Sequence, residues 1–369
     1  MKALITGAKG FIGKNLIVTL EQMEGVEILP YDVDTDPAQL DVYTSKCDFV
    51  FHLAGINRTQ KSDEFMEGNF GFTTRLIDSL KRNESKAPIL VTSSIQAELM
   101  NPYGLSKKAG EDLVIAYGQE NGVTVYVYRL PNVFGKWCRP NYNSVVATFC
   151  HNIAHDLPIM VNDPAVQMQL VYIDDVVAEI LHAMKGEANR RNRYCYVEPV
   201  HRTTLGHIAE LIKSFKDSRE ERSIPDMSDA FIKALFATYL SYLPEDQFSY
   251  PLKMNLDNRG SFTEIFRTPE CGQFSVNISK PGITKGNHWH HSKNEKFVIV
   301  AGRGVIRFRK VGEEEVMEYF LDGDKIEVVD IPPGYTHNIE NLGDTDLVTI
   351  MWASECFDLT RSDTYHLEV

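Results

Sequence analysis

Three groups of residues in this sequence have the types and spacing that chemistry needs. Gly7, Gly10 and Gly13 punctuate the stretch Gly7-Ala8-Lys9-Gly10-Phe11-Ile12-Gly13. After a strand and before a helix, such a turn lets backbone N–H groups and the helix N-terminus face a pyrophosphate. Tyr103 and Lys107 stand four apart in NPYGLSK, so a helix beginning there places both on one face. A nearby ammonium favours the tyrosinate, and the phenol can then pass a proton to or from a substrate oxygen during hydride transfer. Ser94 can hydrogen-bond the same oxygen, although spacing leaves Ser93 as its alternative. Far downstream, His288, His290, Glu295 and His337 offer imidazoles and a carboxylate. That donor set suits zinc, nickel, iron or manganese, and a borderline-soft N/O site with room for substrate selects zinc.

These groups need elements to hold them. Lys2–Thr6 (KALIT) reads as an apolar strand entering the glycine turn, and Leu16, Leu20 and Met23 follow at helical spacing. A second strand, Ile28–Tyr31, ends at Asp32, where a carboxylate accepts from a ribose 2'-OH and favours NAD. Lys9 and Arg58 can instead balance a 2'-phosphate, so NADPH and NADH both stay open. A buried strand over Asp48–Leu53 closes on Ala54-Gly55, where small side chains let a cofactor lie against Leu53, Ala54 and Gly55. Ile89–Thr92 is the next strand, and Ser93-Ser94 sit at its carboxyl end, where open parallel sheets place their ligands. Farther along, Asn143–Ile153 reads as an amphipathic helix and Asp174 as the cap of a helix through Met184. Leu205–Phe215 reads as another helix, His151 and His155 as structural or exposed, and Glu111 and Asp112 as solvated charge.

After Pro251 the period changes. Gln273–Ile278, Lys296–Ala301, Gly304–Phe308, Glu315–Leu321, Lys325–Val329 and Leu347–Ala353 are short segments separated by Gly, Asp, Asn and Pro turns. That is the pattern of a barrel or double-sheet sandwich. Two apart on a strand, His288 and His290 point to one face, Glu295 opens the next strand, and His337 follows PPGYTH. His291 falls outside the alternation and reads as a surface or supporting histidine.

The pieces GAKGFIG, HLAG, Asn69-x-Gly71, SS, YGLSK, RLPNVFG at Arg129–Gly135 and VYIDDVV at Val171–Val177 resemble, in order, the extended short-chain dehydrogenase/reductases that act on nucleotide sugars. The resemblance implies a Rossmann-like α/β domain over residues 1–245, with Ser94, Tyr103 and Lys107 as its catalytic serine, tyrosine and lysine and Asn132 in a loop facing substrate. Only eight residues separate Ser94 from Tyr103, fewer than in most such proteins, which implies a shorter roof over the substrate. Residues 246–369 resemble the cupins through Gly282-x5-His288-x-His290-x4-Glu295-x6-Gly302 and Pro332-x-Gly334-x2-His337-x3-Asn341, implying an all-β jelly-roll barrel. Asp257–Glu264 and Lys285-Gly286-Asn287-His288 further resemble nucleotide-linked 4-keto-sugar 3,5-epimerases, in which a barrel histidine removes the proton next to the ketone.

A conflict follows at His288, which matches both that base and the first metal ligand, because a ligated imidazole has no lone pair for a proton. Either the site is metal-free with His288 as base, or a metal polarises a substrate oxygen or supplies hydroxide. In the second case Lys285, Tyr335 or His291 moves the proton. The order of the two domains resembles bifunctional enzymes of capsular polysaccharide synthesis. It implies C3 epimerisation of a UDP-linked 4-keto-6-deoxy-N-acetylhexosamine, then reduction of the C4 ketone with NADPH to UDP-2-acetamido-2,6-dideoxy-L-talose. It also implies a homodimer.

Composition sets the outer bounds. At 369 residues the chain is long enough for two cores, and 43% hydrophobic with 24% charged residues is ordinary for a globular protein. Lys+Arg 38 against Asp+Glu 51 gives a net charge of -13 without basic-aromatic clusters, a poor match for nucleic acid or an anionic membrane. The scattered cysteines and the absence of a signal-like or membrane-length apolar run point to a cytoplasmic protein with free thiols.

Overall fold

The computed structural model describes residues 1–369 except 269 and 359. It divides into two compact units, one of Met1–Ser214 with Asp229–Pro244, the other of Phe215–Ser228 with Glu245–Val369. The expected single cut after residue 245 is therefore corrected, and backbone pairing gives the reason. Arg267 N donates to Arg222 O at 2.8 Å and Ile224 N donates to Arg267 O at 3.2 Å, which ties residues 215–228 to the second unit. Glu264 adds ion pairs to Arg222 and Arg267. The helix expected to end at Phe215 runs over Leu205–Glu221.

In the first unit, β1 (Lys2–Thr6), β2 (Glu27–Tyr31), β3 (Phe49–His52), β4 (Ile89–Ser94) and β5 (Val125–Leu130) form a parallel sheet in the order β2-β1-β3-β4-β5. Tyr194–Cys195 and Arg190–Arg191 extend it beyond β5. Period-two alternation sorts the strand residues onto two faces. Ala3, Ile5, Phe49, Phe51, Leu90, Tyr126 and Tyr128 bury against Leu16 and Leu20 of the helix Phe11–Glu21 and Val176, Val177 and Ile180 of the helix Ile173–Met184. Leu4, Val50, Ile89, Val91 and Val127 bury on the other side against Leu76, Ile77 and Leu80 of the helix Phe72–Arg82 and Val114 and Tyr117 of the helix Pro102–Asn121. A sheet covered on both faces explains why its strands read as continuous apolar runs. Because β1 leads to β2 on one side while β3 lies on the other, the carboxyl ends of β1 and β3 flank a topological switch point, where such sheets bind ligands.

Two smaller expectations change. Asp174 does not cap its helix, because the helix starts at Ile173 and places it inside the first turn, where its carboxylate pairs with Lys136. Glu111 is buried rather than solvated: Arg129 Nε and Nη2 bond its two oxygens at 2.9 and 2.7 Å, and Ser93 Oγ donates at 2.6 Å. Asp112 is exposed as expected and pairs with Lys108.

The second unit holds two antiparallel sheets. One orders the strands Asn255–Asp257, Gly260–Thr268, Gly272–Ser279, Leu347–Ala353, Glu295–Ala301 and Val328–Ile331; the other orders Val316–Asp322, Arg303–Lys310, Tyr335–Asn341, Thr284–Trp289 and Tyr365–His366. Phe297, Ile299, Val329, Ile331 and Leu347 from the first meet Ile306, Phe308, Leu321 and Ile339 from the second in one core. Among the described residues no helix is long and apolar enough to cross a membrane.

Candidate active sites

The glycine turn follows β1 and is held by Gly7 N donating to Tyr31 O at 2.9 Å and Gly10 N to Gly7 O at 2.9 Å. Gly7 has φ +70°, and a Cβ on Gly13 would lie 2.2 Å from Gly7 O, so neither position accepts a side chain without moving backbone. The helix Phe11–Glu21 begins at Gly10 with no side-chain cap, leaving its first N–H groups free for an anion. Asp32 Oδ2 accepts from Lys9 N at 2.7 Å and Oδ1 from Val33 N at 2.8 Å, so this carboxylate also braces the turn. The Lys9 ammonium pairs with Asp34. Arg58 donates to the Tyr142 carbonyl.

A cavity of about 1390 Å³ opens over these elements. Gly7, Lys9, Gly10, Phe11, Ile12, Gly13, Leu53, Gly55, Ser94, Tyr103 and Lys107 all line it, whereas Asp32, Ala54 and Arg58 do not. His151, His155 and Asn132 line it too. Asn101 accepts from Gly104 N and Pro102 occupies the first turn, so the helix Pro102–Asn121 starts where Tyr103 and Lys107 must share a face. The Tyr103 hydroxyl donates to Asn57 Oδ1 at 3.1 Å, and Lys107 Nζ stands 6.0 Å from the Tyr103 ring and donates to Thr92 O at 3.4 Å.

Burial raises the Tyr103 phenol above its usual range, opposed by a hydrogen bond with Ser94, so the tyrosinate expected from the nearby ammonium is not the resting state. A neutral phenol is the state that can donate a proton. Burial pushes Lys107 down to about 8, with Glu111 acting the other way. Both serines line the cavity, and their hydrogen bonds separate them: Ser93 is buried and donates to Glu111, while half-buried Ser94 accepts from Gln96 N at 3.2 Å.

The second centre lies within the second unit. One ligand atom from each of His288, His290, Glu295 and His337 lies within 4.8 Å of the other three. His288 and His337 are register partners across two antiparallel strands, and a bulge at Asn287, with φ +58°, interrupts the pairing just before His288. His290 Nε2 lies 3.5 Å and His337 Nε2 3.4 Å from Glu295 Oε2. All three of these atoms are buried without a hydrogen-bond partner, so the residues fit a cation. Burial alone would raise the Glu295 carboxyl, but His290 and His337 hold it well below the usual carboxylate range. Burial, aided by His337, pushes His288 down to about 4, leaving it neutral and able to ligate. Lys285 Nζ donates to Asn277 Oδ1 and Ile278 O at 2.8 Å and to Ser261 O at 3.3 Å, which makes it a clamp on neighbouring strands rather than a free amine.

The model described as NAD dependent epimerase/dehydratase family matches residues 3–195, and the one described as Polysaccharide biosynthesis C-terminal domain matches residues 255–365. The UDP-2-acetamido-2,6-beta-L-arabino-hexul-4-ose reductase of Pseudomonas aeruginosa is 44% identical over 369 residues, covering 100% of this chain and 99% of that protein. The crystal structure of the capsular polysaccharide assembling protein CapF of Staphylococcus aureus superposes with a TM-score of 0.95 at 55% identity, covering 100% of both chains. The chain belongs to the CapF-like branch of the NAD-dependent epimerase/dehydratase family. It is an NAD(P)-dependent enzyme. A UDP-glucose 4-epimerase of Thermotoga maritima, at 20% identity and TM-score 0.56 over 66% of this chain and 98% of its own, shares the fold.

This CapF-like chain carries site residues that sequence reasoning missed. Asn57, partner of the Tyr103 hydroxyl, sits in the loop after β3, and its place beyond a parallel strand's carboxyl end was the available signal. Asp363 gave none. Its carboxylate accepts from the backbone N–H groups of His291, Ser292 and Lys293, and its carbonyl accepts from His290 Nδ1. Although desolvation works to raise the Asp363 carboxyl, those N–H groups hold it well below the usual range.

Proposed function

We propose that the chain first epimerises C3 of a UDP-linked 4-keto-6-deoxy-N-acetylhexosamine in the second unit, a zinc-loaded cupin barrel, and then reduces the C4 ketone in the first unit with NADPH. The product is UDP-2-acetamido-2,6-dideoxy-L-talose. The observation that carries this reading is that two chemically different centres coexist, each assembled within its own unit: a cavity with a neutral tyrosine beside a lysine, and a buried tetrad with unpartnered donor atoms. Chemistry fixes the order, because the C4 ketone acidifies the C3 proton and reduction destroys that acidity.

In the first unit NADPH supplies the hydride when bound. The N–H groups at the start of the helix Phe11–Glu21 receive its pyrophosphate, Tyr103 donates its proton to the C4 oxygen, Ser94 hydrogen-bonds the same oxygen, and Lys107 supplies positive charge beneath the pair. In the second unit His288, His290, Glu295 and His337 hold a divalent ion, which when bound supplies Lewis-acid polarisation of a substrate oxygen. With His288 among the ligands, the proton transfer passes to Tyr335. It shares a strand face with His337, whereas Lys285 is occupied and His291 is exposed.

The test is incubation with UDP-4-keto-6-deoxy-GlcNAc in D2O, with and without NADPH and chelator, followed by NMR. Deuterium should enter C3 without nicotinamide and stop on chelation, while the reduced product should appear only with NADPH. Exchange that persists in a folded His290→Ala variant would overturn the epimerase assignment and leave the second unit a non-catalytic module.

A further inference from the structure

The four tetrad residues come from three strands and a loop, and one segment contacts His288, His290 and the neighbour of His337. Residues 363–368 run beside the strand that carries His288: Tyr365 pairs with Trp289 and His366 with His288. Leu367 N donates to Asn287 O at 3.0 Å, at the bulge just before His288. Thr336, next to His337, donates its hydroxyl to the Leu367 carbonyl, and Arg309 donates to the Glu368 carbonyl.

Asp363 makes the densest of these attachments. Its Oδ1 accepts from His291 N at 2.9 Å, and its Oδ2 accepts from Ser292 N at 2.8 Å, Lys293 N at 2.9 Å and Ser292 Oγ at 3.0 Å. The loop so gathered runs from His290 to Glu295 and joins two ligands. The Asp363 carbonyl completes the arrangement by bonding His290 Nδ1. A carbonyl can only accept, so Nδ1 must carry the hydrogen and Nε2 must carry the lone pair, and Nε2 is the buried, unpartnered atom facing Glu295.

We infer that Asp363 is the positioning residue of the metal centre: its side chain fixes the loop between His290 and Glu295, and its carbonyl selects the His290 tautomer that presents Nε2 to a cation. The inference rests on the reading of the tetrad as a metal site. A loop left free would let Glu295 and His290 drift apart, and the tautomer would no longer be set. Partners of this kind typically contribute on the order of 10- to 100-fold in metal affinity.

The experiment is chelator competition with zinc(II) on the full-length apoprotein, paired with the visible absorption spectrum after cobalt(II) loading. Asp363→Ala should weaken zinc affinity on the order of 10- to 100-fold and alter the cobalt bands. Asp363→Asn, which keeps an acceptor for His291 N, should fall between Ala and native. Arg309→Ala, which frees only the far end of the segment, should bind as the native chain does. NADPH binding by fluorescence should be equal in all four proteins. Native affinity with a native cobalt spectrum in Asp363→Ala overturns the inference while leaving the metal reading intact. A native chain that takes up neither ion overturns the metal reading and this inference with it. An Asp363→Ala apoprotein that has lost its native near-ultraviolet dichroism would show a folding role instead, and that too overturns it.

Discussion

In the cavity of the first unit the reactive side chains already have protein partners: Tyr103 donates to Asn57, Lys107 to the Thr92 carbonyl, and Ser94 accepts from Gln96. In the second unit the Nε2 atoms of His290 and His337 and Oε2 of Glu295 face one another, buried and unpartnered. Leaving a buried polar atom unpaired costs about 1–3 kcal/mol, more when it is charged. The first centre is thus satisfied by its own protein partners, whereas the second is an arrangement whose donor atoms fit a cation. One centre stores its reactivity as neutral, hydrogen-bonded groups around an open volume, and the other stores it as a compact set of lone pairs.

The sharpest way to break this contrast is a variant that silences one centre alone. Tyr103→Phe removes the proposed proton donor, along with its hydrogen bond to Asn57, so NADPH oxidation by the ketone should fall about 10²- to 10⁴-fold, the range for a positioned general acid. C3 deuterium exchange should continue at the native rate. Full reduction by Tyr103→Phe would move the proton donor elsewhere, and simultaneous loss of exchange would show that the centres are not independent.

The next effect is on stability. The Glu111 side chain is fully buried and that of Arg129 nearly so, and the guanidinium also stacks on Tyr194 at 3.9 Å. Removing Glu111 leaves the nearly buried Arg129 guanidinium to its exposed partner Glu98, at a cost of up to about 3–5 kcal/mol. Glu111→Ala should therefore lower the unfolding free energy of the first unit by that amount, measured by denaturant titration with NADPH binding as the probe. Zinc uptake by the second unit should not change.

Glu111 also shows where sequence reading fails. Its acidic type and its neighbour Asp112 suggested a solvated face, and only the fold shows that Arg129, eighteen positions away on β5, points at it. By contrast, the glycine turn, the strand-end serine pair and the Tyr–Lys spacing were legible because each is a local pattern on one element or its edge. The clustering of His288, His290, Glu295 and His337 was legible through the alternation of His288 and His290, the nearby Glu295 and the PPGYTH turn before His337, although several strands separate Glu295 from His337. Asp363 was not, because its partners are three backbone N–H groups about 70 residues away, and no side-chain pattern records a backbone acceptor. The strand Gly260–Thr268 escaped for a different reason: charged and polar side chains interrupt its apolar alternation.

A finer test separates the adjacent serines. Ser93 donates to a buried carboxylate, and hydrogen bonds to charged groups contribute about 1.5–3 kcal/mol, so Ser93→Ala should cost stability of that order with little change in turnover. Ser94→Ala should do the reverse, slowing reduction while shifting unfolding by no more than about 0.5 kcal/mol. Interchanged outcomes would reassign the serine that faces the substrate.

The smallest expected effect is on pH dependence, and its sign follows from the two shifts at the first centre. Burial lowers Lys107 to about 8 and raises Tyr103, so as pH increases the ammonium loses its proton before the phenol does. In the proposed reduction Tyr103 acts as an acid, and the adjacent positive charge helps as the C4 oxygen becomes negative. The rate of NADPH oxidation in a single turnover should therefore be level at neutral pH and fall through about 8, by up to about tenfold per pH unit if the ammonium is essential. Because Glu111 raises Lys107, the Glu111→Gln variant should begin its fall at lower pH. The second centre supplies the control, since C3 exchange involves neither group and should not follow this profile. A reduction rate unchanged up to the ordinary lysine range would mean that Lys107 positions Tyr103 without contributing charge, and the contrast between the two centres would then rest on geometry alone.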